Sequence, residues 1–595
     1  MKMFLIILLI VLPLFQTVGS ERKDKENPNI IVIVADDLGN ADVGYHDQGT
    51  EIPTPNIDKL AAAGVSFTSG YVMAPVCAPS RAALLTGRYQ QSFGFVDNPG
   101  PFRASPEIVP GIPTSVKILP EYLKEHGYVT GMFGKWHVGG ESGEDDYFPT
   151  KRGFDEFFGF IDGASNYFVE DNVKMTLFKQ ETPVDYESQY LTDALARETV
   201  DFMERHQNEK FFVYLPFNAV HGPLQAPDSL INKFSFVENA SRRKLCAMQY
   251  SMDLAIGRVL NKLEELNLTE NTLIFFVSDN GGKLNENYSY NTPYNGEKGT
   301  LYEGGIRLPF CIKWLGRIEE SLVYDKPVCS MDIVPTILNI IGEEVSDSLK
   351  ISGNNLLPYI NGENENVPHN FLYWWLNNQW AVRDAEWKLL YNNGFSRPKL
   401  FNIVNDISEQ NDLYGIYPEH VERLTNKYNE WRSSQMEIQW GWNSAIGEYV
   451  AHFQENFENI VKRYFAPMGN GVTTEIVKNP VIDGINKSQT VVKIIRPDEN
   501  AQNWSGTYAN VTQFQRKFRY LHLKILKSRK SQVRAKLKGK NMELEVFSTN
   551  SQSKINEWED FVFDFNNFSG PINTINIQPD FEIGNYHEIY IDDIH

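Results

Sequence analysis

The sequence predicts an α/β protein, a mixed and mostly parallel sheet flanked by helices, with a small antiparallel subdomain and a C-terminal β-sandwich. Three observations carry this prediction. Over the first three quarters of the chain, short and strongly apolar runs alternate with amphipathic stretches, the pattern of strands buried on both faces between helices. From about residue 371 the texture changes to short aromatic-rich runs, and after about residue 447 helical periodicity gives way to alternating strands. At 595 residues, with 42% hydrophobic and 22% charged positions, the chain is too long for one typical core. It divides into residues 1–20, a signal peptide; 21–447, the α/β domain with its antiparallel subdomain over about 368–447; and 448–595, the accessory β-sandwich.

The elements follow in order. Lys2, an apolar run over 4–15 and the small-residue stretch Val18-Gly19-Ser20 fit a signal peptide cleaved after Ser20. The run is short for a bilayer span and nothing comparable recurs, so a secreted or periplasmic protein is expected rather than a membrane anchor. Strands are predicted at 30–35, 129–133, 211–217 and 273–277, each ending in polar residues: Asp36-Asp37, Lys135-Trp136-His137, His221 and Asp279-Asn280-Gly281-Gly282. Ligands in open α/β sheets sit beyond the carboxyl ends of the strands, so these four clusters are expected to converge on one crevice. Helices are predicted at 56–63, 79–85, 116–125, 242–266 and 419–431. Runs at 371–375, 380–383 and 387–391 make the antiparallel subdomain, and 491–495, 520–526 and 542–547 are strands of the sandwich.

A formal net charge of -20 argues against nucleic acid as a partner, because a polyanion is repelled at long range, and an anionic substrate needs local cations. Only Cys77, Cys246, Cys311 and Cys329 are present, too few for a disulfide-built scaffold. If chemistry consumes Cys77, at most one bridge remains, and Cys311 with Cys329 is the nearest pair.

The densest signal is Cys77-Ala78-Pro79-Ser80-Arg81, followed by Leu84-Leu85-Thr86-Gly87-Arg88. Pro79 suits a first helical turn, which puts Cys77 at or just before a helix N-terminus where backbone N–H groups favour negative charge. Arg81, one turn on, adds a fixed cation. Taken alone, such a cysteine is more often a small buried hydrophobe. Asp36, Asp37, Asp279 and Asn280 are oxygen ligands suited to a hard divalent cation, although either pair taken alone reads better as turn formers or helix caps. Lys135 and His137 would share one side of a regular strand, with Trp136 opposite. His221 and Lys298, the latter in Gly296-Glu297-Lys298-Gly299-Thr300, read by themselves as a polar residue and a solvated loop lysine.

The pattern Cys-x-Pro-x-Arg, with its second half, resembles the formylglycine-dependent (type I) sulfatase family. The resemblance runs from residue 28 to about 414 and takes in 29–38, 134–137, 278–282, 296–300 and Gly304-Gly305-Ile306-Arg307. It implies an alkaline-phosphatase-like fold and a sulfuric ester hydrolase of the arylsulfatase-like, secreted polysaccharide kind. It also implies one Ca2+ per chain on Asp36, Asp37, Cys77, Asp279 and Asn280, and oxidation of Cys77 to formylglycine (3-oxoalanine) by a maturation enzyme. The catalytic set it implies is Cys77, Arg81, Lys135, His137, His221 and Lys298. A hydrated aldehyde at position 77 would attack sulfur, with Arg81, Lys135, Lys298 and the cation stabilising the developing charge. His221, assisted by Lys298, would protonate the leaving alcohol, and His137 would take the proton whose loss expels sulfate.

A sulfated carbohydrate is the expected substrate. A phosphoester or phosphonate hydrolase of the same superfamily, or a non-catalytic glycan-binding protein on this scaffold, are the alternatives. Between Arg516 and Lys540 stand eleven Lys or Arg and no acidic residue, and Arg534, Lys536 and Lys538 alternate. That is either a solvated strand face or a contact for sulfated glycan. Tyr147, Phe148, Tyr167 and Phe168 would stack on sugar rings or pack within the domain. The stretch 479–506 loosely resembles accessory domains of glycan-degrading enzymes.

Overall fold

The structure, a computed structural model, describes residues 27–441 except 101, 106–107, 141–144, 169–175, 185–189 and 393, and beyond them strand segments between 466 and 592 with a few adjoining residues. The expected signal peptide and most of the 479–506 stretch lie outside the described residues. Among the described residues no helix is long and apolar enough to cross a membrane. Two compact units divide the chain, one of residues 1–92 with 111–434 and one of 93–110 with 435–595.

The first unit is built on a ten-stranded sheet. Its order is Leu322–Tyr324, Val65–Phe67, Phe310–Lys313, Thr272–Ser278, Asn29–Ala35, Phe211–Pro216, Val129–Lys135, Glu156–Phe160, Leu177–Lys179 and Thr182–Val184. The five strands from Thr272–Ser278 to Glu156–Phe160 are mutually parallel. Their continuous apolar runs follow from burial on both faces: every residue of Asn29–Ala35, Phe211–Pro216 and Thr272–Ser278 is buried. Register sets Ala35 beside Ser278 and Val34 beside Pro216, so the loops after all these strands leave from one edge. The α/β class expected from the sequence is what the chain adopts, including its parallel centre.

Helix boundaries shift for local reasons. The helix predicted at 242–266 is Ala240–Glu265, because the Asn239 side chain accepts from the backbone N–H groups of Ser241 and Arg242 and sets the start earlier. The 116–125 helix begins only at Leu119, where Glu121 Oε2 accepts from the Ile118 N–H at 2.7 Å. The helix around Pro79 spans Cys77–Thr86 and ends at Gly87 with φ 65°.

A four-stranded antiparallel sheet follows, Leu372–Leu376, Gln379–Arg383, Trp387–Tyr391 and Lys399–Asn402. Helix Pro418–Ser433 lays Leu424 and Tyr428 onto Val382, Leu389 and Leu400. This small sheet also supplies Lys388, fully buried, whose Nζ lies 2.8 Å from Glu303 Oε1 and 2.9 Å from Glu409 Oε1. Glu303 Oε2 accepts from the Tyr71 hydroxyl and pairs with Arg307 at 3.4 Å, while Glu409 Oε2 accepts from the Glu303 N–H at 2.7 Å. Arg383 contacts the Tyr71 hydroxyl.

The second unit carries two five-stranded sheets drawn from Ala466–Met468 to His587–Asp592. In the first, register places Lys536 opposite Glu545, Lys538 opposite Glu543 and Arg534 opposite Phe547.

The Cys311–Cys329 bridge is not formed, and all four cysteines are free and buried. Cys311 sits inside the large sheet in Phe310–Lys313, while Cys329 belongs to a separate two-stranded ladder with Gly70–Tyr71. There its Sγ lies 3.5 Å from His369 Nε2.

Candidate active site

Every sequence-predicted site residue lies at the carboxyl edge of the parallel strands or on a loop folded over it. Asp36 and Asp37 follow Asn29–Ala35, and Asp279 and Asn280 follow Thr272–Ser278. The backbone stitches these loops together: Asp279 N–H donates to Ala35 O at 3.0 Å, Asp36 N–H to Ala219 O at 2.9 Å, and Val220 N–H to Asp36 O at 2.7 Å. Asp37 N–H donates to Asp279 Oδ1 at 3.2 Å. Gly281 leaves no room for a side chain, since a Cβ there would stand 1.9 Å from Gly304 O.

Cys77 opens helix Cys77–Thr86, with Val76 extended as the cap, and its Sγ lies 3.7 Å from Asp36 Oδ1. Lys135 Nζ donates to Asp36 Oδ2 at 2.7 Å. Arg81 is wholly buried; its Nε and Nη2 hold Asp279 Oδ2 at 2.8 and 2.7 Å, and its Nη1 donates to Lys135 O at 3.0 Å. Lys298 Nζ lies 2.7 Å from Asp37 Oδ1, and His221 Nε2 lies 3.8 Å from Asp37 Oδ2. One oxygen of Asp36 and of Asp37, the Cys77 sulfur and a His221 nitrogen all fall within 4.8 Å of one another.

The strand reading of Lys135 and His137 needs a correction. The strand ends at Lys135, and His137 turns into the left-handed region at φ 57°, as Asp37 does at φ 60°. The turn, not strand alternation, places the His137 ring, which packs against Gly163. Non-glycine residues in that region carry local strain that surrounding structure must hold in place.

Charge is concentrated here on buried side chains. Burial opposes ionisation of Asp36, yet Lys135, His221, Arg81 and Lys298 together hold its carboxyl well below the usual range. Asp279 is pushed up by burial and by the Asp36 charge, to about 6. Burial, then Lys135 and Arg81, hold His137 well below the ordinary histidine value, and burial with Lys298 lowers His221. Burial pushes the Cys77 thiol up to about 12.

The acceptors are not all used. Asn280 Nδ2 donates to Asp37 Oδ1 at 2.6 Å, but its Oδ1 is buried with no partner. A buried carbonyl oxygen left open beside three carboxylates is the donor set a hard cation requires, so these residues fit a divalent metal ion.

Of the four aromatic residues proposed to stack on sugar, Tyr167, Phe168 and Phe148 pack within the domain. Tyr167 is buried, stacks on Tyr190 at 5.5 Å and places its hydroxyl 2.6 Å from Asn218 O and 2.9 Å from His221 O. Phe168 also packs on Tyr190, and Phe148 packs edge-on against Phe157 and Phe178. Tyr167 therefore supports the His221 loop from below, a role that only the folded loop reveals.

Residues 28–343 match the model of a family described as Sulfatase, and residues 296–434 match one described as N-sulphoglucosamine sulphohydrolase, C-terminal. The chain is 31% identical over 476 residues to arylsulfatase J of Mus musculus, covering 69% of this chain and 77% of that protein. It is 35% identical over 356 residues to N-acetylgalactosamine-6-sulfatase of Canis lupus familiaris, covering 56% of this chain and 66% of that protein. Among solved structures, Ps i-CgsB in complex with k-i-k-neocarrahexaose superposes with a TM-score of 0.66 at 35% identity, over 71% of this chain and 97% of that one.

Proposed function

The chain belongs to the sulfatase family and is a sulfuric ester hydrolase, and from that premise we propose that it is a secreted or periplasmic enzyme that cleaves sulfate esters of a sulfated carbohydrate or polysaccharide at the crevice around Cys77. The observation that carries this reading is the meeting of Cys77, three carboxylates, the open Asn280 Oδ1 and the cations Arg81, Lys135 and Lys298 at one strand edge. Ps i-CgsB is in complex with k-i-k-neocarrahexaose, which makes that oligosaccharide the first substrate to try.

Bound calcium, held by Asp36, Asp37, Asp279 and Asn280, would supply positive charge to the sulfate group, and formylglycine, formed from Cys77 by a maturation enzyme, would supply a hydroxyl nucleophile. The remaining work falls to side chains. Helix Cys77–Thr86 aims the nucleophile from its electropositive end. Lys135, Arg81 and Lys298, buried or nearly so, need no reorganisation to meet charge spreading over the sulfate oxygens. His221 Nδ1 lies 2.6 Å from Gly222 O, so Nδ1 carries a proton, and Nε2 would serve the leaving alcohol from the doubly protonated ring, which burial and Lys298 oppose and Asp37 and Asp36 favour. His137, kept neutral by burial and by Lys135, is suited to accept a proton from the nucleophile side.

The test compares matched aryl sulfate and aryl phosphate, then measures sulfate release from a panel of sulfated oligosaccharides. Mass spectrometry across residue 77 runs in parallel. Sulfate turnover well above phosphate turnover, with an aldehyde at position 77, is expected; preference for phosphate would replace this reading with the phosphoesterase one.

A further inference from the structure

Between the metal-ligand loop and Lys298 the chain makes an excursion that the catalytic reading leaves without a task. Its residues 287–291 sit wedged among four site loops. The Asn287 amide donates to Asp37 O at 2.9 Å and to Val220 O at 3.3 Å, joining the strained Asp37 to the residue before His221. Its own oxygen accepts from the Lys283 and Ser289 N–H groups at 2.9 and 3.2 Å, which fixes the amide's orientation. Four residues on, Asn291 accepts from Gly282 N–H at 2.9 Å and donates to Gly282 O and Gly296 O, at 3.0 and 3.1 Å. Its grip therefore covers the Asp279–Gly282 loop and the start of the loop carrying Lys298.

The fit is close enough to exclude side chains. A Cβ on Gly39 would lie 2.2 Å from Tyr290 O, and one on Gly282 would lie 2.5 Å from Ser289 Cβ. The wedge is anchored from outside the crevice. The Ser289 hydroxyl donates to Asp42 Oδ2 at 2.6 Å and Tyr290 N–H donates to the same atom at 3.0 Å. Buried Arg242 of helix Ala240–Glu265 clamps both Asp42 oxygens and also donates to Tyr288 O.

We propose that residues 287–291 form a positioning wedge whose decisive side chain, Asn287, holds the Asp37 end of the Asp36–Asp37 loop against the His221 loop beyond the point where the backbone pairing of Asp36 with Ala219 and Val220 ends. The inference rests on the function proposed above, which makes those two loops the cation and leaving-group sides of one reaction. Asn287 touches neither sulfate nor cation; it acts through two carbonyls. An unwedged Asp37 keeps its carboxylate but loses the restraint on its left-handed backbone, so cation and proton donor drift apart while substrate contacts persist.

The experiment uses the full chain, with formylglycine content at position 77 matched between proteins. Wild type and Asn287→Ala are treated with EDTA and titrated with Ca2+, following the melting midpoint and amide hydrogen exchange at residues 37–38 and 220–221, and steady-state kinetics follow. For Asn287→Ala the metal-free midpoint is expected to stay within about 5 °C of wild type. Half-saturating calcium should rise about tenfold or more, exchange at the four amides should speed up about tenfold without metal, and kcat should fall with KM changed less than about threefold. Calcium response and exchange both within about threefold of wild type would overturn the proposal. Should Asn287→Ala fail to fold, Ser289→Ala, which removes one anchor and keeps the wedge's shape, is judged by the same readings. If wild type itself shows no calcium response and no sulfatase turnover, the functional reading fails, and exchange in the metal-free chain alone decides the wedge.

Discussion

Two clusters of buried charge flank the chain segment 296–307, and they are built from the same kinds of residue. In one, Asp36, Asp37 and Asp279 face Arg81, Lys135 and Lys298; in the other, Glu303 and Glu409 face Lys388, with Arg307 and Arg383 close by. The second cluster is closed. Each oxygen of Glu303 and Glu409 has a cation or a hydrogen-bond donor beside it, from Lys388, Tyr71, Arg307 or the Glu303 N–H, although Glu409 Oε1 meets only the Lys388 ammonium, at 2.9 Å, and makes no hydrogen bond. The first is open, because Asn280 Oδ1 has no partner and Asp36 Oδ1 meets only a thiol at 3.7 Å. Burial and ion pairing alone do not separate a working site from a structural one; what differs is that the open cluster has acceptors, Asn280 Oδ1 and Asp36 Oδ1, that no cation meets, whereas Lys388 lies against Glu409 Oε1.

The comparison breaks most visibly at Cys77. Cys77→Ala should reduce sulfate ester turnover by about 10⁴-fold or more while barely moving the melting midpoint; substantial residual turnover would mean that the open cluster is not the site. Lys388→Met tests the closed cluster, and should cost about 3–5 kcal/mol in urea unfolding because it strands two carboxylates in the interior. A cost below about 1 kcal/mol would show that the cluster opens to water. Chelation acts on the open cluster alone: EDTA should lower turnover by about 10–100-fold, reversibly with calcium, and a variant already lacking Lys388 should show the same proportional loss. Chains that escape oxidation at Cys77 report the local field directly. With its thiol pushed to about 12, Cys77 should alkylate at pH 8 about 10³-fold more slowly than an exposed cysteine, and a rate near the exposed value would refute the burial. The smallest effect is expected in the second unit. Replacing Arg534, Lys536 and Lys538 by Gln should change retention on a sulfated glycan column by less than about twofold, since the register sets Glu545 and Glu543 opposite two of them. A larger loss would restore the glycan-contact reading of that strand.

Much of the open cluster was legible in the sequence because its residues follow apolar runs immediately. Asp36 and Asp279 announce themselves as the first polar groups after buried strands, His221 follows Asn218 in the loop after Phe211–Pro216, and Cys77 comes with its own helix-start signal in Pro79. His137 was identified for the wrong geometric reason, since periodicity cannot foresee a left-handed turn at a non-glycine residue. The closed cluster left no local trace: Lys388 sits in a strand whose pattern reads as ordinary, and its partners are distant in the chain. Asn287 and Asn291 looked like loop composition, because hydrogen bonds from amides to carbonyls of other loops have no sequence period. The Cys311–Cys329 pairing failed because nearness along the chain says nothing about which sheet each strand joins.

Lys388 also constrains the order in which the protein can be made. The base closest to Glu303 is synthesised 85 residues after it, so a nascent chain holding only the large sheet leaves the Glu303 charge with Arg307 alone, at 3.4 Å, at the spot where the small sheet must dock. Ribosomal pauses before residue 388, or clipping there, would leave this half-built surface exposed to chaperones and proteases rather than yielding a smaller working enzyme.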